Sequence, residues 1–192
     1  MRFRINQKDS GALKLKLLLL FFLILFGCAT VPTKTYYETV SEWKSYKDVA
    51  KWMRLHFSFD MERNKEANEK RLTFDNPIPV RTPKETFELK SGVCFDAARF
   101  AKETLNRINP SYEAEIVHIA REPHGHYVCS FKKDGKLYIM DYGASYISLI
   151  GVHGPYNSLE EYKKFHERNG PPNFKILSIK FGWPEWMKKA IK

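Results

Sequence analysis

The sequence predicts an α+β fold, on three observations. An apolar helix begins directly behind Ser91-Gly92-Val93 and carries Cys94 in its first turn. Two alternating segments flank Asp134-Gly135, the strongest short-range signal for a two-residue hairpin and hence for an antiparallel pair. The length of 192 residues, with 43% apolar and 15% aromatic content, suits one hydrophobic core and not two.

Taken in order, residues 1–27 have the form of an export signal. Arg2, Arg4, Lys8, Lys14 and Lys16 precede an apolar run over 17–26 that is too short for an ordinary membrane span. Leu25-Phe26-Gly27-Cys28 resembles a bacterial lipobox, in which Cys28 becomes the lipidated first residue of the mature protein. An uncleaved anchor or an ordinary secretory signal are the alternatives. Residues 28–40 read as a tether and 41–192 as the folded domain. A helix is expected from Ser41 to His56, with Trp43, Tyr46, Val49, Ala50, Met53 and Leu55 as its inward stripe. Residues 61–72 are so charged that they read as an exposed helix or a loop, and Asp75-Asn76-Pro77-Ile78-Pro79 as an extended connector, with the wall of a substrate groove as the alternative.

Thr82-Pro83-Lys84-Glu85 is a capping box with proline at the first helical position, so a short helix is expected over 83–90, ended by a positive φ at Gly92. The next helix runs from Cys94 to about Arg107, its alanines allowing close packing. After Asn109-Pro110-Ser111 come strands over 114–121, 126–133 and 136–142, another over 146–151, and a loop at Gly151–Pro155. Asn157 is the expected cap of a helix over 158–169, with Leu159, Tyr162 and Phe165 facing inward. A last strand covers 174–181, and the tail Trp183-Pro184-Glu185-Trp186 is expected to dock on the domain.

The chemistry gathers at three residues. A cysteine in the first turn of a helix is placed to ionise, because the unpaired N–H groups and positive dipole end stabilise a negative sulfur and can also hold an oxyanion. A two-residue turn at Asp134-Gly135 makes Lys133 face Lys136 and Val128 face Asp141, which leaves His126 diagonal to Asp141 on one face. Cys94, His126 and Asp141 are therefore the candidate nucleophile, base and orienting acid. The proposal requires the sulfur of Cys94 to stand beside the ring of His126, on the same side of the sheet. Cys129 falls on the opposite face as a small core residue, although an exported chain also permits a Cys94–Cys129 disulfide. His118 reads as a sheet histidine. His124 is the rival base, and with His126 a possible pair of zinc ligands, but no further cluster completes a metal site.

Gly92-Val93-Cys94-Phe95-Asp96-Ala97-Ala98 resembles the nucleophile motif of the transglutaminase-like cysteine peptidase superfamily. Gly125-His126-Tyr127, followed by Lys133-Asp134-Gly135-Lys136-Leu137-Tyr138-Ile139-Met140-Asp141, resembles its His and Asp strands. Val128 stands where that family often has tryptophan, and the family's upstream aromatic would fall near Phe57 or Phe59. The resemblance implies a papain/transglutaminase-like core, a central helix bearing the cysteine packed on an antiparallel sheet. It also implies thiolate acyl transfer on a protein or peptide substrate, as a peptidase, an amidase or a transglutaminase, with no cofactor and no metal.

The net charge of +10 is partly local, since residues 1–27 hold five cations against Asp9 and leave +6 on the remainder, spread along the chain. No basic motif of a nucleic-acid binder stands out. The expected place is the cell envelope, with the chain held to a membrane through Cys28, on the periplasmic face of the outer membrane where the cell has one. A second class of function is an inactive, lipid-tethered binding or scaffold protein on the same fold.

Overall fold

The structure is a computed structural model that describes residues 34–71, 77–121, 125–170 and 175–191. The export signal, Cys28, the first six residues of the tether (28–33) and His124 lie outside the described residues. Among the described residues no helix is long and apolar enough to cross a membrane.

Two helices open the folded unit, where one was expected. α1 (Tyr36–Glu42) and α2 (Tyr46–His56) are each started by a capping box, Thr35 with Glu38 and Ser45 with Asp48. Ser45 and Asp48 hold the chain open at Trp43 and Lys44, which is why the helix expected from Ser41 is broken there. The folded unit reaches back to Thr35, so Tyr36 and Val40, expected in the tether, are core residues. Trp52, and not the exposed Leu55, carries the α2 stripe inward. The charged stretch forms α3 (Met61–Arg71), entered after a two-residue strand, β1 (Ser58–Phe59).

α4 (Pro83–Leu89) follows its capping box as expected, but Lys90, not Gly92, takes the left-handed conformation that ends it, at φ 53°. Gly92 lies instead in β2 (Ser91–Gly92), which pairs in parallel with β1. α5 (Cys94–Ile108) is the central helix.

Behind it, β3 (Glu115–Arg121), β4 (His126–Lys133), β5 (Lys136–Asp141), β6 (Gly151–Tyr156) and β7 (Ile176–Phe181) form one antiparallel sheet in the order β6-β5-β4-β3-β7. Asp134 and Gly135 both have positive φ, 52° and 71°, and Lys133 faces Lys136, the expected hairpin register. The strand expected over 146–151 is displaced. Residues 147–149 form a 3-10 turn, and the stretch expected as a loop, with its glycines and proline, is the strand β6. Gly154 and Pro155 are tolerated because β6 is an edge strand, where a missing N–H breaks no ladder on the outer side.

One face of the sheet packs on α5. Ala97, Phe100, Ala101 and Leu105 meet Cys129, Phe131 and Met140, with Val49, Trp52 and Met53 closing over them. The small alanines let the helix lie close to the strands. The other face holds Val117, Ile119, Val128, Ile139 and Ile176, covered by α6 (Leu159–Asn169) through the fully buried Tyr162. Ser158 caps α6, while Asn157, the expected cap, donates to Glu161. The tail docks as expected: α7 (Glu185–Lys188) buries Met187, and the backbone of Ala190 accepts from Val80.

Candidate active site

Cys94 owes its position to the residues on either side of it. Asp96, three residues after the helix cap, is fully buried and accepts from the backbone N–H of Val93 (3.0 Å) and of Arg81 (2.8 Å). The guanidinium of Arg63 completes it, with Nε 2.7 Å from Oδ2 and Nη2 2.9 Å from Oδ1. The charged stretch thus delivers one arginine to the root of the central helix. A glycine at 92 is required by the same carboxylate, because a Cβ there would lie 2.8 Å from Asp96 Cβ.

His126 is the first residue of β4 and Asp141 the last of β5. Both are buried, at 3% and 2% exposure. Nε2 of His126 lies 2.7 Å from Oδ2 of Asp141. A carboxylate only accepts, so Nε2 carries the proton and Nδ1 is the ring nitrogen left for the thiol. The other carboxylate oxygen accepts from the backbone N–H of Gly143 at 3.1 Å, so Asp141 is held at both ends. Gly143 also lets the chain pass over the cysteine, since a Cβ there would lie 2.4 Å from Cys94 Cα.

The thiol of Cys94 is within hydrogen-bonding reach of the His126 ring. Burial opposes charge on that ring, but the Asp141 carboxylate, with a smaller part from Cys94, outweighs it and raises the imidazole from 6.5 to about 9. Sulfur, imidazole and carboxylate are therefore brought together as the sequence predicts, with one difference. α5 packs on the sheet face of Tyr127, Cys129 and Phe131, whereas His126 and Asp141 point to the face of Val128 and Ile139. Contact is made around the end of the sheet, by the first residue of the helix and the first residue of the strand, and not on a shared face.

Cys129 is a free, fully buried thiol whose ionisation burial suppresses, and Cys94 is free and half-buried. A disulfide between them is therefore absent. His118 stacks on Tyr127 at 5.0 Å.

Two neighbours, His166 and Arg121, escaped the sequence. His166, on the same α6 stripe as Tyr162 at i+4, is buried with its ring 6.0 Å from that of His126. Burial first, and then the charge of His126, lower it to about 4. His126, Asp141 and His166 bring possible ligand atoms within 4.8 Å of one another, although a cation entering there would have to displace the Nε2–Oδ2 hydrogen bond. Arg121 ends β3 beside His126, where helical or strand periodicity gave no cue to its use. Pro77 and Ile78, in the segment read as a connector or a groove wall, take the second role and line a cavity of about 330 Å³ that Cys94, His126, Phe59 and Trp186 also line. Of the two aromatics expected near the site, Phe59 lies on the cavity and Phe57 packs into the core.

Known proteins fit this picture to different depths. The UPF0252 protein PH1321 of Pyrococcus horikoshii is 34% identical over 91 residues, which is 46% of this chain and 25% of that protein, so the chain spans about a quarter of its relative's length. Among solved structures, EGTA-treated LapG of Legionella pneumophila is similar at a TM-score of 0.33 and 14% identity, over 76% of this chain and 82% of LapG. The site stands on this chain's own geometry, and residues 28–165, a span that takes in Cys94, His126 and Asp141, match the transglutaminase-like domain, so the chain belongs to that family.

Proposed function

We propose that the protein is an exported, lipid-anchored cysteine enzyme that transfers acyl groups through a thiolate, acting on a peptide or amide. The observation that carries the proposal is His126 lying between the Cys94 thiol and the Asp141 carboxylate, 2.7 Å from the latter, at the wall of an open cavity. Cys94 gives its proton to Nδ1 of His126 and its sulfur attacks the substrate carbonyl carbon. The oxyanion forms at the start of α5, where backbone N–H groups point outward. His126 then protonates the leaving amine, and a thioester remains on Cys94. Attack by water, with His126 as base, completes hydrolysis, and attack by an amine completes cross-linking. Asp141 keeps Nε2 protonated and the ring in place throughout.

Export and lipidation rest on residues 1–28 alone, with Cys28 as the lipidated residue and the cell envelope as the location. Metabolic labelling with palmitate should mark the wild type and not Cys28→Ala.

The catalytic proposal is tested by alkylation and by turnover. Iodoacetamide at neutral pH should label Cys94 rapidly, His126→Ala should slow this by at least tenfold, and native Cys129 should remain unlabelled. Envelope proteins incubated with the wild type and with Cys94→Ala should differ by a defined cleaved or cross-linked product. Equal, sluggish labelling of both cysteines with no such product would leave the inactive binding protein as the answer.

A further inference from the structure

The cavity beside Cys94 has one wall that acyl transfer itself does not use. Asn64, Ala67 and Asn68 line it from α3, and their i, i+3, i+4 spacing puts them on one face of that helix. The face is held in place relative to the nucleophile. Arg63, in the first turn of α3, donates to Asp96 at 2.7 and 2.9 Å and to the carbonyl of Pro79, and its own backbone N–H donates to Asp60 at 3.0 Å. α3 is thereby tied to the residue two places after Cys94.

The rest of the recess is mostly apolar. Phe59, Ile78, Phe95 and Met187 line it, and both Ala67 and Cys94 pack against the cluster that holds Ile78, Phe95 and Met187. The nucleophile is therefore part of the apolar surface. Among the described residues no aspartate, glutamate or lysine lines the cavity, and Arg121, which does, is already engaged within the fold. A volume of about 330 Å³ lies at the small end of ligand pockets, which run from about 300 to 1,000 Å³. It suits one large side chain together with its peptide unit. Apolar walls favour a side chain without charge. The paired amides of Asn64 and Asn68, each both donor and acceptor, match the N–H and C=O of a peptide main chain, and a plain alkyl chain would leave them unsatisfied.

We propose that α3 is a specificity element, and that the recess it walls takes a large, uncharged, apolar side chain of a peptide substrate beside the carbonyl that Cys94 attacks, with Asn64 and Asn68 holding the main chain. This rests on the acyl-transfer role proposed for Cys94 and adds to it a substrate class, a peptide with an aromatic or branched apolar residue at the reacting bond.

Chloromethyl ketones test it on the intact protein. Each loses chloride to the Cys94 thiolate and forms one carbon–sulfur bond, so the probes differ only in what they offer the recess. Rates at Cys94 are read by intact mass at pH 7.5 and divided by the iodoacetamide rate of the same protein, which cancels changes in thiol reactivity. Relative to free cysteine, the wild type should favour the N-acetylphenylalanine ketone over the N-acetylglycine and N-acetylaspartate ketones by about tenfold or more, the effect of burying one large apolar side chain. Ala67→Phe, which fills the recess, should abolish that preference. Asn64→Ala with Asn68→Ala, at half-buried positions of α3, should instead abolish the preference for N-acetylphenylalanine ketone over 1-chloro-4-phenylbutan-2-one, which lacks the acetamido group. No preference for phenylalanine in the wild type overturns the proposal, as does a preference for aspartate or one that survives Ala67→Phe. A preference for the acetamido group that survives the double variant overturns the role of the asparagines. Slow, His126-independent labelling by iodoacetamide overturns the catalytic reading and the subsite with it, whereas rapid, His126-dependent labelling without side-chain preference overturns the subsite alone.

Discussion

Replacing Asp141 by Asn tests the electrostatics of the site most directly. The carboxylate is the largest influence raising His126 from 6.5 to about 9 against its own burial, a differential stabilisation of the imidazolium of about 3 kcal/mol. In Asp141→Asn that support goes while the burial stays, so the ring should titrate near or below 6.5. NMR of the His126 ring nitrogens reads the change. At pH 7.5 the protonated fraction should fall by about two orders of magnitude relative to the neutral form, and iodoacetamide labelling of Cys94 should slow with it. The sign for stability follows from the same shift. A base whose folded value lies above its unfolded one contributes fully below pH 6.5 and loses that contribution as the pH rises to about 9. The wild type should therefore lose stability across that window and Asp141→Asn should not. A His126 that still titrates near 9 in the variant would refute the assignment of the shift to Asp141.

Gly143→Ala forces a methyl to within 2.4 Å of the Cys94 backbone; overpacking of this kind costs about 1–3 kcal/mol, and labelling of Cys94 should fall at least tenfold, as urea melts and intact mass will show. Asp96→Ala strips Arg63 and two backbone N–H groups of their buried acceptor, so equilibrium unfolding should show a loss of about 3–5 kcal/mol, and a loss below 1 would show that the network is idle. His166, lowered to about 4, stays neutral when buried; its contribution is whole above pH 6.5 and is lost as the pH falls to about 4, so His166→Phe should flatten the acid limb of the stability curve without moving the alkaline one.

What the sequence made legible was local. The Thr82 capping box, the Asp134-Gly135 turn and the helical spacing behind Cys94 each act within a few residues, and each formed as read. The turn alone fixed the register that sets His126 diagonal to Asp141. The misses were decided by distant partners. Ser45 broke a helix through a cap that competes with a continuous stripe, and β6 formed through Gly154 and Pro155 because β5 offered it an edge. Lys90 ended α4 in place of Gly92 because Gly92 was needed against Asp96. Arg63 lay in a stretch read as an exposed helix or a loop, and Arg121 and His166 carried no cue of their own, since nothing in a linear pattern says which polar side chain will be buried.

The meeting of Cys94 with His126 explains why element ends matter here more than hydrophobic faces. The helix belongs to one side of the sheet and the imidazole to the other, so neither core can bring them together by burial. Contact depends on where α5 and β4 begin. The start of α5 is fixed by Asp96 and its three donors, and the position of β4 by the hairpin with β5. A slip of β4 by one residue would turn His126 and Ser130 onto the α5 face and present Tyr127 to Asp141, and the chemistry would be lost with the packing. The two glycines at 92 and 143 allow the approach, by keeping Cβ atoms out of the space where helix start, strand end and carboxylate converge. A family motif that couples a glycine, a cysteine and an aspartate two residues later is thus one mechanical unit, in which the glycine makes room for the aspartate and the aspartate holds the turn that carries the sulfur.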